Sequence, residues 1–139
     1  KESGLNNDFL IVRAYYNISL IHKAKEDFVK YEESLIQSIT LEKELREKKL
    51  IKKKQDYVLY LSYYYLAHHY YENARKEESV ELFERAVEES VTYAGISNNK
   101  EGLVNELYEI QEILNSIDPE KSQQVNNAIS DIFAISNSY

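Results

Sequence analysis

Cysteine is missing from all 139 residues, and so are methionine and tryptophan. Without a thiol the chain forms no disulfide and has no cysteine nucleophile, which leaves the compartment open with the cytoplasm as the default expectation. The lack of an initiator methionine points to a fragment or a processed form. Glycine occurs only at 4, 95 and 102, and proline only at 119. From Leu5 to Ala94 no residue breaks a helix outright, whereas a β-protein of this length needs far more turn punctuation. The fold class expected is therefore all-α. So few glycines also exclude the backbone cradles that hold phosphates. No apolar run approaches the roughly 20 residues of a membrane-spanning helix. The opening KESGLNND lacks the basic-then-apolar order of a signal peptide. A net charge of -7 argues against a general nucleic-acid surface.

What the chain does have is helical periodicity in pairs. The stretch from Tyr60 to Glu88, YLSYYYLAHHYYENARKEESVELFERAVE, holds two helical patterns joined by a short polar turn. Tyr63, Leu66, Ala67 and Tyr70 fit a W-x2-L-G-x2-Y pattern, and Ser79, Phe83 and Ala86 fit its A-x3-F-x2-A continuation. Small residues at 67, 79 and 86 allow two helices to approach closely, with Tyr63, Leu66, Tyr70 and Phe83 filling the space between them. This segment resembles the tetratricopeptide-repeat family. Tyr15, Ile18, Ser19 and His22, followed by Tyr31, Leu35 and Ser38, repeat the register upstream, with Lys25, Glu26 and Asp27 as the turn. Asp8 is expected to cap the first helix, from about Phe9 to Ala24.

The resemblance implies a single domain over 1–139, a stack of antiparallel helix pairs forming an α-α superhelix of about six helices. Its parts are a repeat over 12–45, a long helical extension over 40–56, a repeat over 60–93 and a divergent capping pair over 101–136. The extension arises because Tyr15 and Tyr63 lie 48 residues apart, beyond the usual period of about 34. It is expected to break near Lys52–Gln55, with Asp56 capping the next helix. Its KKLIKKK run reads as a solvated helix end, where cations favour the negative pole, rather than as a nucleic-acid patch. In the last pair, Leu103, Leu107, Ile110, Leu114 and Ile117 form one stripe and Val125, Ala128, Ile129, Ile132 and Ile135 another. Gly95 is a plausible helix stop, and Asp118-Pro119 marks a helix restart.

No catalytic constellation stands out. His68 and His69 are adjacent and point about 100° apart on a helix, so they cannot chelate together as an i,i+4 pair does. Acidic pairs such as Glu77-Glu78 read as solvated faces. The expectation is no enzyme, no cofactor, no metal and no membrane contact. Tyrosine is the unusual component, with 13 in the chain and seven of them between Tyr57 and Tyr71. Seven tyrosines encircle a helix, so they cannot all face one core. Tyr60, Tyr64, His68 and Tyr71 either face a recognition groove or are buried by neighbouring helices.

In the tetratricopeptide family the first helix of each pair lines a concave groove that holds extended peptides. Carried over, the groove positions are Arg13, Tyr16, Asn17, Leu20 and Lys23, then Leu61, Tyr64, Tyr65, His68 and Tyr71, with Asn105 and Glu109 as rough equivalents in the third pair. Asn17 stands where the family grips peptide backbone, and Arg13 and Lys23 suit a carboxylate. The phrase AYYNISLIHKAKEDFVKYEESL is also similar in style to peptide-pheromone receptors of Gram-positive bacteria. The resemblance implies a peptide- or protein-binding regulatory domain, the sensor part of a longer transcriptional or signalling regulator. The other reading is a structural adaptor or oligomerisation module, compatible with a homo-oligomer.

Overall fold

The computed structural model describes residues 2–48 and 57–136, with side chains from 9–48 and 58–135. Six α-helices follow one another: α1 Glu2–Ala24, α2 Phe28–Glu47, α3 Tyr57–Glu72, α4 Lys76–Ala94, α5 Lys100–Ile117 and α6 Gln123–Ser136. There is no strand among the described residues. Each helix packs on its sequence neighbour, with α2 also lying on α3 and α4 on both α5 and α6. The result is an all-α stack of helix pairs.

Local sequence explains where the helices stop. Asp27 closes the N-terminus of α2 by accepting from the Lys30 N–H at 3.2 Å, satisfying one of the orphan donors of a first helical turn. Asn99 does the same for α5, accepting from the Gly102 N–H at 2.8 Å. At the start of α4, Arg75 makes no side-chain cap, and Glu77 and Glu78 in the first turn favour the helix dipole instead. Gly95 does end α4. After α5, Asp118 leads into a short 3-10 turn, Pro119–Ser122, and α6 follows. Pro119 fits there because a first helical position needs no N–H.

The first two pairs are built on one register. Their three-residue turns place Glu26 and Ala74, 48 positions apart, at φ 59° and 62°. Burial repeats at the same offset. Val12 and Tyr60, Ser19 and Ala67, Tyr31 and Ser79, Leu35 and Phe83, and Ser38 and Ala86 are buried in both pairs. Small residues recur where helices approach, and the Ser38 hydroxyl donates across to the Val12 carbonyl at 3.1 Å. The core runs from Tyr31 and Leu35 through Tyr60, Leu66 and Phe83 to Leu107, Leu114 and Ile132. Both apolar stripes expected in the last pair face it, with Ile117 and Ile135 only partly buried. Arg46 ties α2 to α4 by donating twice to the Glu89 carboxylate, at 2.6 and 3.2 Å.

Three expectations change or fall away. Asp8 does not cap α1, because the helix begins at Glu2 and Asp8 lies inside it. Nothing between Glu2 and Asp8 stops a helix, since a lone Gly4 costs only about 1 kcal/mol. Ile18, expected to face inward, is 40% exposed, because among the described residues α1 packs on α2 and α3 and Ile18 lies away from both. The overlong helix ends at Glu47, where the Lys48 N–H donates to the Glu44 carbonyl at 3.1 Å. The expected break at Lys52–Gln55, the Asp56 cap and the basic run beyond Lys48 lie outside the described residues.

Candidate functional site

The turn that joins α1 to α2 leaves a cleft against the C-terminal half of α3. It measures about 200 Å³ and is lined by Lys23, Phe28, Tyr31, Tyr65, His68, His69, Glu72 and Asn73. Helix ends explain this assembly. Lys23 sits in the last turn of α1, Phe28 and Tyr31 open α2, and the remaining residues lie on α3 or just beyond it. The Lys23 ammonium lies 5.7 Å from the centre of the Tyr31 ring and 5.6 Å from that of Tyr65, within cation–π range of both.

The floor is held from below. His69 stacks on Phe28 at 6.3 Å and meets the Tyr31 ring edge-on at 5.4 Å. Its Nε2 is 3.2 Å from Glu32 Oε1, and the Asn73 amide nitrogen is 3.4 Å from its Nδ1. A carboxylate on one nitrogen and an amide donor on the other select the Nε2–H tautomer. Asn73 also donates to the His69 carbonyl at 2.7 Å. Arg75 donates to Glu32 at 3.0 Å, grips Glu78 with two further bonds and lies over the Tyr70 ring at 3.7 Å.

Beyond the cleft, a tyrosine layer continues along α3 toward α5. The Tyr60 hydroxyl donates to Glu106 at 2.9 Å and the Tyr64 hydroxyl to Glu109 at 2.6 Å. His68 Nε2 is 3.0 Å from the same Glu109 oxygen, an ion-pair distance without hydrogen-bond alignment. Tyr60 stacks on Tyr93 of α4 at 4.9 Å. Burial raises the affinity of these hydroxyls for their protons. Tyr31 is pushed up to about 12 by burial and then by Tyr65 and Glu72. Tyr16 is raised further, first by burial and then by Tyr65, Tyr31, Tyr93 and Glu106. Glu106 is raised above the usual carboxylate range, chiefly by burial.

The structure brings together Lys23, Tyr65 and His68 in the cleft, with Tyr16 within electrostatic reach of Tyr65. Tyr64 is in the same layer but only 8% exposed, and Tyr60 is fully buried. Neighbouring helices therefore bury Tyr60 and Tyr64, and neither offers an open surface. Leu61 is likewise packed against the core. Arg13, Asn17 and Leu20 are exposed on α1, and Asn105 on α5, outside the cleft lining. Tyr71 turns toward α4, with the Lys76 ammonium 5.5 Å from its ring. Sequence reasoning missed Phe28, Tyr31, His69, Glu72 and Asn73 as lining residues. Their available signal was position, flanking the two turns that share one register.

Among the described residues no group of three or more His, Asp or Glu side chains is arranged to hold a metal ion. His68 and His69 each meet a single carboxylate, on different helices. No helix of the described residues is long and apolar enough to cross a membrane. No family model, curated protein or solved structure matches the chain.

Proposed function

We propose that this domain is a scaffold that binds an extended peptide or a segment of a protein partner, anchored in the cleft between α1, α2 and α3. The observation that carries the reading is the position of Lys23 over the Tyr31 and Tyr65 rings. One ammonium and aromatic walls suit a carboxylate next to an apolar side chain, the chemistry of a peptide C-terminus. Size decides between a peptide and a free small molecule. Pockets that enclose a drug-sized ligand run to about 300–1,000 Å³. A cleft of about 200 Å³ admits one side chain, so the rest of the ligand lies along the surface. The resemblance to tetratricopeptide repeats, and in style to peptide-pheromone receptors, extends this reading to the sensor part of a longer bacterial regulator working in the cytoplasm. A structural adaptor is the second reading, favoured by the burial of Tyr60 and Tyr64 in the domain's own interior.

Selection from a random peptide library with free C-termini tests the first reading. Anchors of this kind cost about 2 kcal/mol or more on truncation. Tyr65→Ala and Lys23→Glu should therefore weaken selected peptides at least about tenfold, with amidated peptides losing most of the Lys23 effect. An Asn105→Ala control should bind as the parent does. A library that yields no binder, or variants that bind normally, would leave the adaptor reading standing.

A further inference from the structure

Two side chains of opposite fixed charge line the cleft, Lys23 and Glu72. Both are exposed, and among the described residues neither side chain forms a hydrogen bond or an ion pair. Lys23 stands in the last turn of α1, where the negative pole of a helix favours a cation. Glu72 is the last residue of α3, where the same pole disfavours a carboxylate. Tyr31 adjoins both, with the Lys23 ammonium 5.7 Å from its ring centre and the Glu72 charge acting on its hydroxyl. Asn73 adds an acceptor. Its amide nitrogen donates to the His69 carbonyl at 2.7 Å, so Oδ1 is the atom left over, and it accepts no bond among the described residues. The neighbouring acids are engaged, since Glu32 accepts from Arg75 and Glu109 from Tyr64.

Given the peptide-binding reading of this cleft, we propose that it selects a peptide whose last residue is basic. The terminal carboxylate lies on Lys23, and the cationic side chain lies on Glu72 and the Asn73 Oδ1. Once Lys23 takes the carboxylate, the one fixed charge left in the lining is that of Glu72. An arginine or lysine ending pairs with it and brings several donors to the two acceptors. Its methylene stem lies on the aromatic walls. Those walls suit a cation as well, since Lys23 already lies within cation–π range of Tyr31 and Tyr65. A leucine ending would cover Glu72 without pairing it, and a glutamate ending would meet like charge. A basic ending carries on one residue the two opposite charges that the cleft carries on two.

Three peptide libraries, random upstream and ending in arginine, leucine or glutamate, test this. On the parent chain, peptides ending in arginine should bind about fivefold tighter than those ending in leucine. Glu72→Gln should remove that difference, with leucine-ended binding and the thermal melt unchanged. Glu72→Lys should turn the preference toward glutamate. Lys23→Glu should weaken the leucine-ended peptides too, because they report the carboxylate contact alone. Equal binding of arginine and leucine endings, both weakened by Lys23→Glu, would overturn the basic ending and leave the peptide-binding reading intact. An arginine preference that survives Glu72→Gln would overturn the assignment to Glu72. Binding of none of the three libraries would overturn both readings together. Displacement of arginine-ended peptides by N-acetylarginine at equal concentration would overturn a peptide as the source of the charged end.

Discussion

Ala67 is fully buried in α3, and Ser19 occupies the same place in the first pair. Adding three carbons there forces two packed helices apart. Ala67→Leu should cost about 1–3 kcal/mol. Glu78→Ala removes a paired side chain that is 59% exposed, and exposed pairs contribute no more than about 1 kcal/mol. Arg75 keeps Glu32 as a second partner in that variant. Urea denaturation of the two variants measures the difference, and equal midpoints would show that α3 and α4 are not in close contact at residue 67. The inward place of Ala67 was legible from spacing alone. That of Tyr60 and Tyr64 was not. Helical spacing gives a residue's direction on its own helix, but what covers it comes from Tyr93, Glu106 and Glu109, on helices far along the chain.

The repeated helix pair is the element that the sequence declared most clearly. Its small and large residues recur at a fixed offset, and so do the two turns. What spacing did not reveal was the conformation of those turns, with Glu26 and Ala74 in the left-handed region. That conformation fixes how α2 leaves α1 and α4 leaves α3, and hence which helix-end residues meet. The cleft was therefore only partly legible. Lys23, Tyr65 and His68 lie on helix faces that periodicity can assign, whereas Phe28 and Asn73 owe their positions to the turns. A side chain in the left-handed region costs about 1–2 kcal/mol that glycine avoids, offset in part by the entropy glycine loses on folding. Ala74→Gly should accordingly stabilise the domain by up to about 1 kcal/mol, and Glu26→Gly similarly. Thermal melts check this, and a lower midpoint for Ala74→Gly would mean that its methyl group is held by packing that outweighs the strain.

Across the whole molecule, tyrosines link helices that are far apart in sequence. Tyr16 lies on α1, Tyr31 on α2, and Tyr60 and Tyr64 on α3, with hydroxyl partners on α5. Burial is the leading cause that raises all four above the ordinary phenol value of about 10. For a group whose folded pKa is raised, the folded state holds its proton more tightly than the unfolded state does. The stability it contributes is fully present below about pH 10 and is lost as pH rises through the folded value. For Tyr31 that loss is complete as pH passes about 12, and the other three extend the effect to higher pH. Because Tyr65 lies within electrostatic reach of Tyr16, Tyr31 and Tyr64, and Tyr64 within reach of Tyr60, ionising one hydroxyl exposes its neighbours to a new negative charge. Alkaline unfolding should therefore be cooperative. Tyrosinate absorbance from the buried set should rise together with the loss of far-ultraviolet circular dichroism, in one steep step above about pH 10. Tyr60→Phe removes one titrating hydroxyl from the layer together with its bond to Glu106, so the step should release one tyrosinate fewer and become less steep. If the buried tyrosines ionise gradually while the helical signal persists, they are reached by solvent one at a time, and the layer does not hold the stack together.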